Sequence, residues 1–157
     1  MVGKNRFFIA EEDLGIILKE RLRIIQDAVE SKKGLKPVTL NLQGISSELD
    51  AFFICHGTSS RHVRAIAEGI QEMLIEIGEK PLFIEGLNEA NWVLMDCGDV
   101  GIHIFEEKTR EYYRLEDLWS HAPLIDMAAP SSASGSISWA YLRESSETFE
   151  KKRIESF

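Results

Sequence analysis

The stretch Trp92-Val93-Leu94-Met95-Asp96-Cys97-Gly98-Asp99-Val100-Gly101-Ile102-His103-Ile104-Phe105 decides the fold: two apolar-rich runs joined by Gly98-Asp99. Gly-Asp between β-prone runs is a composition favoured by two-residue hairpins, so the runs are expected to be antiparallel with Cys97 opposite Val100. Side chains alternate across a strand, and one face then collects Val93, Met95, Cys97, Val100, Ile102 and Ile104. All six are apolar, which makes a face for helices to cover. The other face collects Trp92, Leu94, Asp96, Gly101, His103 and Phe105, a mixed, open surface suited to a protein partner. A three-residue turn would slip the register by one and scramble this sorting, so the two-residue turn is preferred.

Upstream, Leu14, Ile17, Leu18, Leu22, Ile25, Ala28 and Val29 form one apolar stripe of a helix, which Gly34 and Pro37 are expected to stop. Val38, Leu40 and Leu42 alternate with Thr39 and Asn41 and predict a half-buried strand. Phe52-Phe53-Ile54-Cys55 is apolar throughout, as in a strand buried on both faces. A second stripe, Val63, Ile66, Ala67, Ile70, Met73, Leu74 and Ile77, ends at Gly78 with Pro81 beyond. Leu82-Phe83-Ile84 is the next strand, reached from Phe52–Cys55 by an expected right-handed parallel crossover. Glu106–Trp119 is a short helical segment. The sum is a mixed α/β fold with a sheet of about five strands. After Pro123 the composition changes: Ala128–Ser138 carries five serines with Ala, Pro and Gly, the make-up of a linker. Residues 1–122 are therefore expected to be one domain and 123–157 a Ser-rich linker and charged extension. Trp139, Leu142 and Phe149 in it have a spacing that one docking helix would use.

The chain has 157 residues, 44% hydrophobic and 28% charged, the balance of one globular domain able to bury its own core. Its formal net charge is −8, unevenly spread: residues 1–36 carry a net of +2, residues 37–157 a net of −10. Phosphate backbones repel such a body, so a basic protein is the more natural partner than a nucleic acid. No apolar run approaches the ~20 residues of a membrane span, and residues 1–10 do not read as a signal peptide. Cys55 and Cys97 stand outside any CxxC pairing and fit a reducing, cytoplasmic setting.

Gly57-Thr58-Ser59-Ser60-Arg61 lies between a strand and a helix start, where backbone N–H groups attract anions. It lacks both common phosphate-loop patterns, and Ser59 or Ser60 as an ordinary N-cap is the preferred reading. Asp96, Asp99 and His103 suggest acid–base or metal chemistry, but Asp99 would sit on a different side from the other two. His56 and His62 are expected in cap or surface roles. Cys55, in an apolar strand, is expected to be a buried, inert thiol rather than a nucleophile. Arg110–Trp119 divides evenly between a helical cap on the sheet, with Leu115, Leu118 and Trp119 as core, and an interface with Arg110 and Tyr113 exposed.

Three stretches together resemble the Iojap family of ribosomal silencing factors: Asp50–Ala67, then Glu85-Gly86 leading to Trp92–Phe105, and Arg110–Trp119. The resemblance covers roughly Leu14 to His121. It implies a nucleotidyltransferase-like α/β architecture without the catalytic acidic pattern, a non-enzymatic role and no cofactor. It further implies binding to ribosomal protein uL14 on the large ribosomal subunit, which blocks joining of the small subunit and represses translation when nutrients are scarce. Trp92 and Tyr113 match aromatic positions implicated in that contact, and Leu115 belongs to the same motif. With the sheet-face residues Leu94 and His103, and with Arg110, they make the expected partner-binding set. Gly101 departs from the family's usual β-branched residue, which weakens the strand and suggests a close approach of backbone; Cys97 stands where an aromatic or aliphatic residue is common. The segment from Pro123 has no assignable counterpart, and its candidate uses are covering the sheet, mediating a homodimer or touching the ribosome. The rival reading is a nucleotide-binding or nucleotidyl-transferring enzyme using the Gly57–Ser60 turn.

Overall fold

The computed structural model describes residues 8–10 and 15–127. The linker expected over Ala128–Ser138 and the helix expected around Trp139, Leu142 and Phe149 lie outside the described residues. The elements are β1 (Phe8–Ala10), α1 (Ile16–Ser31), β2 (Leu35–Asn41), β3 (Ala51–Gly57), α2 (Ser60–Glu76), β4 (Phe83–Glu85), β5 (Trp92–Asp96), β6 (Val100–Glu106), α3 (Glu107–Tyr113), α4 (Leu115–Leu118) and β7 (Leu124–Asp126). They build one sheet in the order β1-β7-β2-β3-β6-β5-β4. The β3–β6 and β1–β7 pairs are parallel and the others antiparallel, so the fold is mixed α/β as expected. The sheet has seven strands rather than about five. The additional two, β1 and β7, are three residues each, too short to leave a readable alternation. Just past the boundary expected at 122, β7 joins the sheet and Ile125 is buried.

The hairpin register is the expected one. Trp92 faces Phe105, Leu94 faces His103, Asp96 faces Gly101, and the Cys97 N–H donates to the Val100 carbonyl at 2.9 Å across the two-residue turn. The Asp96 carboxylate accepts the Gly98 N–H at 2.8 Å, which fixes the turn. Val93, Met95, Cys97, Val100, Ile102 and Ile104 are all buried, packed with Leu22, Ile25, Val29, Val63, Ile66 and Ile70 of α1 and α2. Strand β4 runs in the same direction as β3, as expected of the crossover, but β6 and β5 lie between them.

The opposite face is a correction. It was expected to be open, yet Phe105 is fully buried and His103 only 6% exposed. A second cluster covers it, made of Leu40, Leu42, Ile54, Phe105, Leu115 and Ala122 with Phe52, Trp92 and Trp119 packed alongside. The cover comes from residues 115–124, which return over the sheet; Trp119 meets Phe52 edge-to-face at 5.3 Å. Gly101 makes room for this layer, since a Cβ there would stand 3.0 Å from the Phe52 ring. The close approach is thus by a side chain, not by backbone as expected.

Strand β2 also differs. Pro37 does not terminate α1 but sits inside β2, where the register shifts between Leu35 and Val38 and Lys36 adopts φ 45°. A bulge needs no N–H from the proline, so the ring is tolerated there. The helix already ends at Ser31, and Gly34 N–H closes it on the Val29 carbonyl at 2.9 Å. Thr39 and Asn41 are 3% and 7% exposed, so the Thr39–Asn41 end of β2 is buried on both faces rather than half-buried, while Leu35–Pro37 are exposed. Both cysteines are free and buried, and burial pushes each thiol up to about 12, in keeping with the inert reading of Cys55.

Candidate partner-binding site

The site starts from the loop before β5. Gly86 has φ 87°, and a Cβ on it would lie 2.1 Å from the Trp92 carbonyl oxygen, so only glycine lets the loop pass so close to β5. The Ala90 N–H closes the turn on the Gly86 carbonyl at 2.8 Å. Arg64 of α2 then clamps it: Nε donates to the Leu87 carbonyl at 3.1 Å and Nη2 to the Asn88 carbonyl at 2.8 Å. The Glu106 N–H donates to the Asn91 carbonyl at 2.8 Å, tying the loop's far end to β6. Trp92 therefore enters β5 from a fixed backbone.

Its indole N–H donates to Nδ1 of His103 at 3.1 Å. His103 must then be neutral and carry its proton on Nε2, and burial pushes its pKa down to about 4, which keeps it so. The Trp92 ring also packs on Phe105 at 4.9 Å and on Tyr113 at 4.8 Å, tilted 48° to the latter. Tyr113 is 48% exposed and Tyr112, edge-on to it, 79%. Between the Gly86–Trp92 loop and α3 lies an open groove of about 410 Å³, lined by Gly86, Glu89, Asn91, Trp92, Lys108, Thr109, Tyr112 and Tyr113.

Arg110 holds α3 against the sheet. Its guanidinium bonds Glu116 through Nε at 2.7 Å and donates from Nη1 to the Lys36 carbonyl at 2.8 Å and to His56 Nδ1 at 2.9 Å. Arg110 cannot accept, so His56 is neutral with its proton on Nε2; burial first, then the Arg110 charge, lowers its pKa. His56 is thus a buried strut, not the cap or surface residue expected. Past α3, Arg114 takes the left-handed conformation (φ 47°) and turns the chain into α4.

Of the six expected contact residues, the structure gathers Trp92, Leu94, His103, Arg110, Tyr113 and Leu115 along one side of the sheet in two roles. Trp92, Leu94 and Tyr113 present surface. His103 and Leu115, at 6% and 9% exposure, lie inside the second cluster or against it, and Arg110 is engaged structurally. Leu118, core with Leu115 and Trp119 in the cap reading, is 71% exposed: the four-residue α4 turns Leu115 inward and leaves Leu118 outside. Sequence reasoning missed Glu89, Lys108 and Tyr112 in the groove, and Phe83, 44% exposed beside Asp96. Helical spacing of Lys108 and Tyr112, four apart, was the available signal.

The other candidates separate. Ser59 caps α2, its hydroxyl accepting the His62 N–H at 3.1 Å. His62 Nδ1 accepts the Thr58 N–H at 3.0 Å while Nε2 donates to the Lys32 carbonyl at 2.7 Å. The Thr58, His62 and Val63 N–H groups are therefore taken by the chain itself, where a phosphate would need them. Asp99 turns to the helix side, 3.3 Å from Arg21, which also bonds Glu79 at 2.8 Å; Asp96 and His103 lie on the other face. Desolvation pushes the Asp99 carboxyl up to about 6 against the pull of Arg21. Among the described residues no group of three His, Cys, Asp or Glu side chains is arranged to hold a metal, and no helix is long and apolar enough to cross a membrane.

Fold and site define a mixed α/β domain that presents an aromatic surface at the end of a hairpin. The sequence profile described as "Ribosomal silencing factor during starvation" matches residues 17–152. Two curated relatives bear the name ribosomal silencing factor. The Bacillus subtilis protein is 43% identical over 109 residues, covering 69% of this chain and 92% of its own length. The Halalkalibacterium halodurans protein is 42% identical over the same number, covering 69% and 93%. A crystal structure from Bacillus halodurans superposes with a TM-score of 0.63 at 41% identity, over 69% of this chain and 99% of that one. A remoter relative, the mouse "mitochondrial assembly of ribosomal large subunit protein 1", is 33% identical over 87 residues, 54% of this chain and 38% of its own length. This chain belongs to the ribosomal silencing factor family.

Proposed function

We propose that this protein binds ribosomal protein uL14 on the large ribosomal subunit and, by occupying that surface, sterically blocks joining of the small subunit. Translation is thereby repressed when nutrients are scarce, in the cytoplasm, by a binding protein rather than an enzyme. The observation that carries the site is the half-exposed Tyr113 ring packed on Trp92 at the mouth of the groove. Tyr and Trp are the residues that dominate protein–protein hot spots, and Leu94 and Phe83 extend the same surface along β5 and β4. His103, Arg110 and Leu115 act from behind, holding Trp92 and α3 in place. The family name and the large-subunit role in the mouse relative's name support a ribosomal partner. An acidic chain complements a basic ribosomal protein while disfavouring contact with RNA phosphates.

The nucleotide-enzyme reading is not pursued, since the Thr58 N–H is taken by His62 and the His62 and Val63 N–H groups of the first α2 turn by Ser59. The test is co-sedimentation with purified large subunits and pull-down with isolated uL14. Tyr113→Ala should weaken both on the order of 10-fold or more with unchanged thermal stability. Trp92→Ala should do the same in the fraction that remains folded. Co-sedimentation of Tyr113→Ala at parental strength overturns this assignment of the surface.

A further inference from the structure

The aromatic surface rests on two imidazoles that are used in the same way. Under Trp92 lies His103, whose Nδ1 accepts the indole N–H at 3.1 Å. Under α3 lies His56, whose Nδ1 accepts from Arg110 Nη1 at 2.9 Å. Neither an indole nor a guanidinium can accept a hydrogen bond, so both Nδ1 atoms must be bare. Both histidines are buried, and the pairing of Ile54 with His103 and His56 with Phe105 puts them on one face of the sheet. A proton on Nδ1 would set two N–H groups against each other at either contact. At His56 it would also set two positive charges together. What stands above must then move: Trp92 in one case, and in the other α3, which carries the Tyr113 ring packed on Trp92.

The surroundings of the two rings differ. At His56, Arg110 of α3 and Lys36 of β2 oppose a proton, while Glu107 and Glu111 of α3 favour it. Glu116 of α4 is engaged with Arg110. His103 packs against Phe52 of β3, Trp92 of β5 and Phe105 of β6, with Trp119 beyond Phe52, and none of these is charged. In both cases burial comes first in holding the pKa below the ordinary 6.5, with His103 brought down to about 4.

We infer that His56 and His103 are positioning residues for the partner-binding surface, which stays assembled only while both are neutral and comes apart in acid. The inference rests on the partner-binding reading above and gives that surface a proton-linked off state.

Two measurements on the full chain test it. In the first, binding to isolated uL14 is followed from pH 7.5 to 4.5 for the parent and for the double variant His56→Asn with His103→Asn. Asparagine places a carbonyl oxygen near the Nδ1 position, accepts from the same donors and does not titrate. Each affinity is referred to its own value at pH 7.5, and comparison at each pH cancels the titration of uL14 itself. Below pH 6.5 the parent should lose about 10-fold more affinity than the variant. In the second, NMR follows the Trp92 indole N–H and the α3 amides of the free parent chain from pH 7.5 to 4. The indole resonance should shift upfield and the α3 amides lose protection, while the amides of α2 keep theirs. Superimposable binding profiles, with the indole and α3 unchanged down to pH 4, overturn the inference. If Tyr113→Ala still abolishes binding in that case, the partner-binding surface stands and only its proton link falls. If Tyr113→Ala binds at parental strength while the indole and α3 of the parent respond to acid, the proton link stands and the uL14 assignment falls.

Discussion

The two faces of the sheet are built by different means. The helix-side face is closed by two long helices, and Leu22, Ile25, Val29, Val63, Ile66 and Ile70 fill it with aliphatic side chains. The opposite face is closed by short pieces: the seven-residue α3, the four-residue α4 and the returning segment to β7. There the packing is aromatic and hydrogen-bonded, through Phe52, Trp92, His103, Phe105 and Trp119. Aliphatic burial is non-directional and holds the fold; the aromatic face fixes orientations and leaves Trp92, Tyr113 and Leu94 at the surface. Stability and recognition are thus assigned to opposite sides of one sheet.

That division can be broken by substitution. Ile25→Ala, on the fully buried helix side, should cost about 2–5 kcal/mol in chemical denaturation while the folded fraction binds large subunits normally. A loss of binding larger than the loss of folded protein would refute the division.

The two faces also titrate in opposite senses. Asp99, on the helix side, has its pKa raised by burial to about 6, so the native state holds a proton that the unfolded chain has released, and its contribution falls as pH rises from 4 to 6. His103, on the aromatic side, is lowered to about 4, so the unfolded chain binds the proton first, and its contribution is complete above 6.5 and lost as pH falls toward 4. The two slopes oppose each other between pH 4 and 6. Relative to the parent, Asp99→Asn should gain stability with rising pH across that window and His103→Phe should lose it, each on the order of 2–3 kcal/mol. Denaturation midpoints that shift in parallel for both variants would show that the faces are not independent.

Gly86→Ala sharpens the recognition side. With φ at 87° and the Trp92 carbonyl in the way, strain of about 1–3 kcal/mol should appear, and displacement of Trp92 should reduce large-subunit binding beyond that cost. Smallest is Ser59→Ala, which removes the α2 cap: about 1 kcal/mol of stability, with binding of the folded protein unchanged.

The hairpin and the two helices were legible because each is set by local rules: a two-residue turn fixes every pairing from Trp92–Phe105 to Asp96–Gly101, and a stripe marks each helix face. The N-cap at Ser59 was legible for the same reason. What escaped was non-local or too short for a period. Nothing in Val38–Asn41 announces that both of its faces will be covered, or that Pro37 will sit in a bulge. Nothing near His56 points to Arg110, 54 positions away. Trp92 was legible from the hairpin alternation and Tyr113 from the aromatic-rich segment as well as from family resemblance, and only the fold distinguishes the ring that is offered, Tyr113, from the leucine that is not, Leu115.

Arg64 gives this arrangement a kinetic and entropic dimension. It anchors the carbonyls of Leu87 and Asn88 to α2, a helix of seventeen residues packed on the far side of the sheet. The loop that presents Glu89 and aims Trp92 is therefore preorganised: a partner meets a surface already in its bound shape, and association carries little further cost of freezing backbone freedom. Affinity lost on cutting that anchor would show in a slower encounter as well as a faster release, the mark of a surface that has begun to fluctuate.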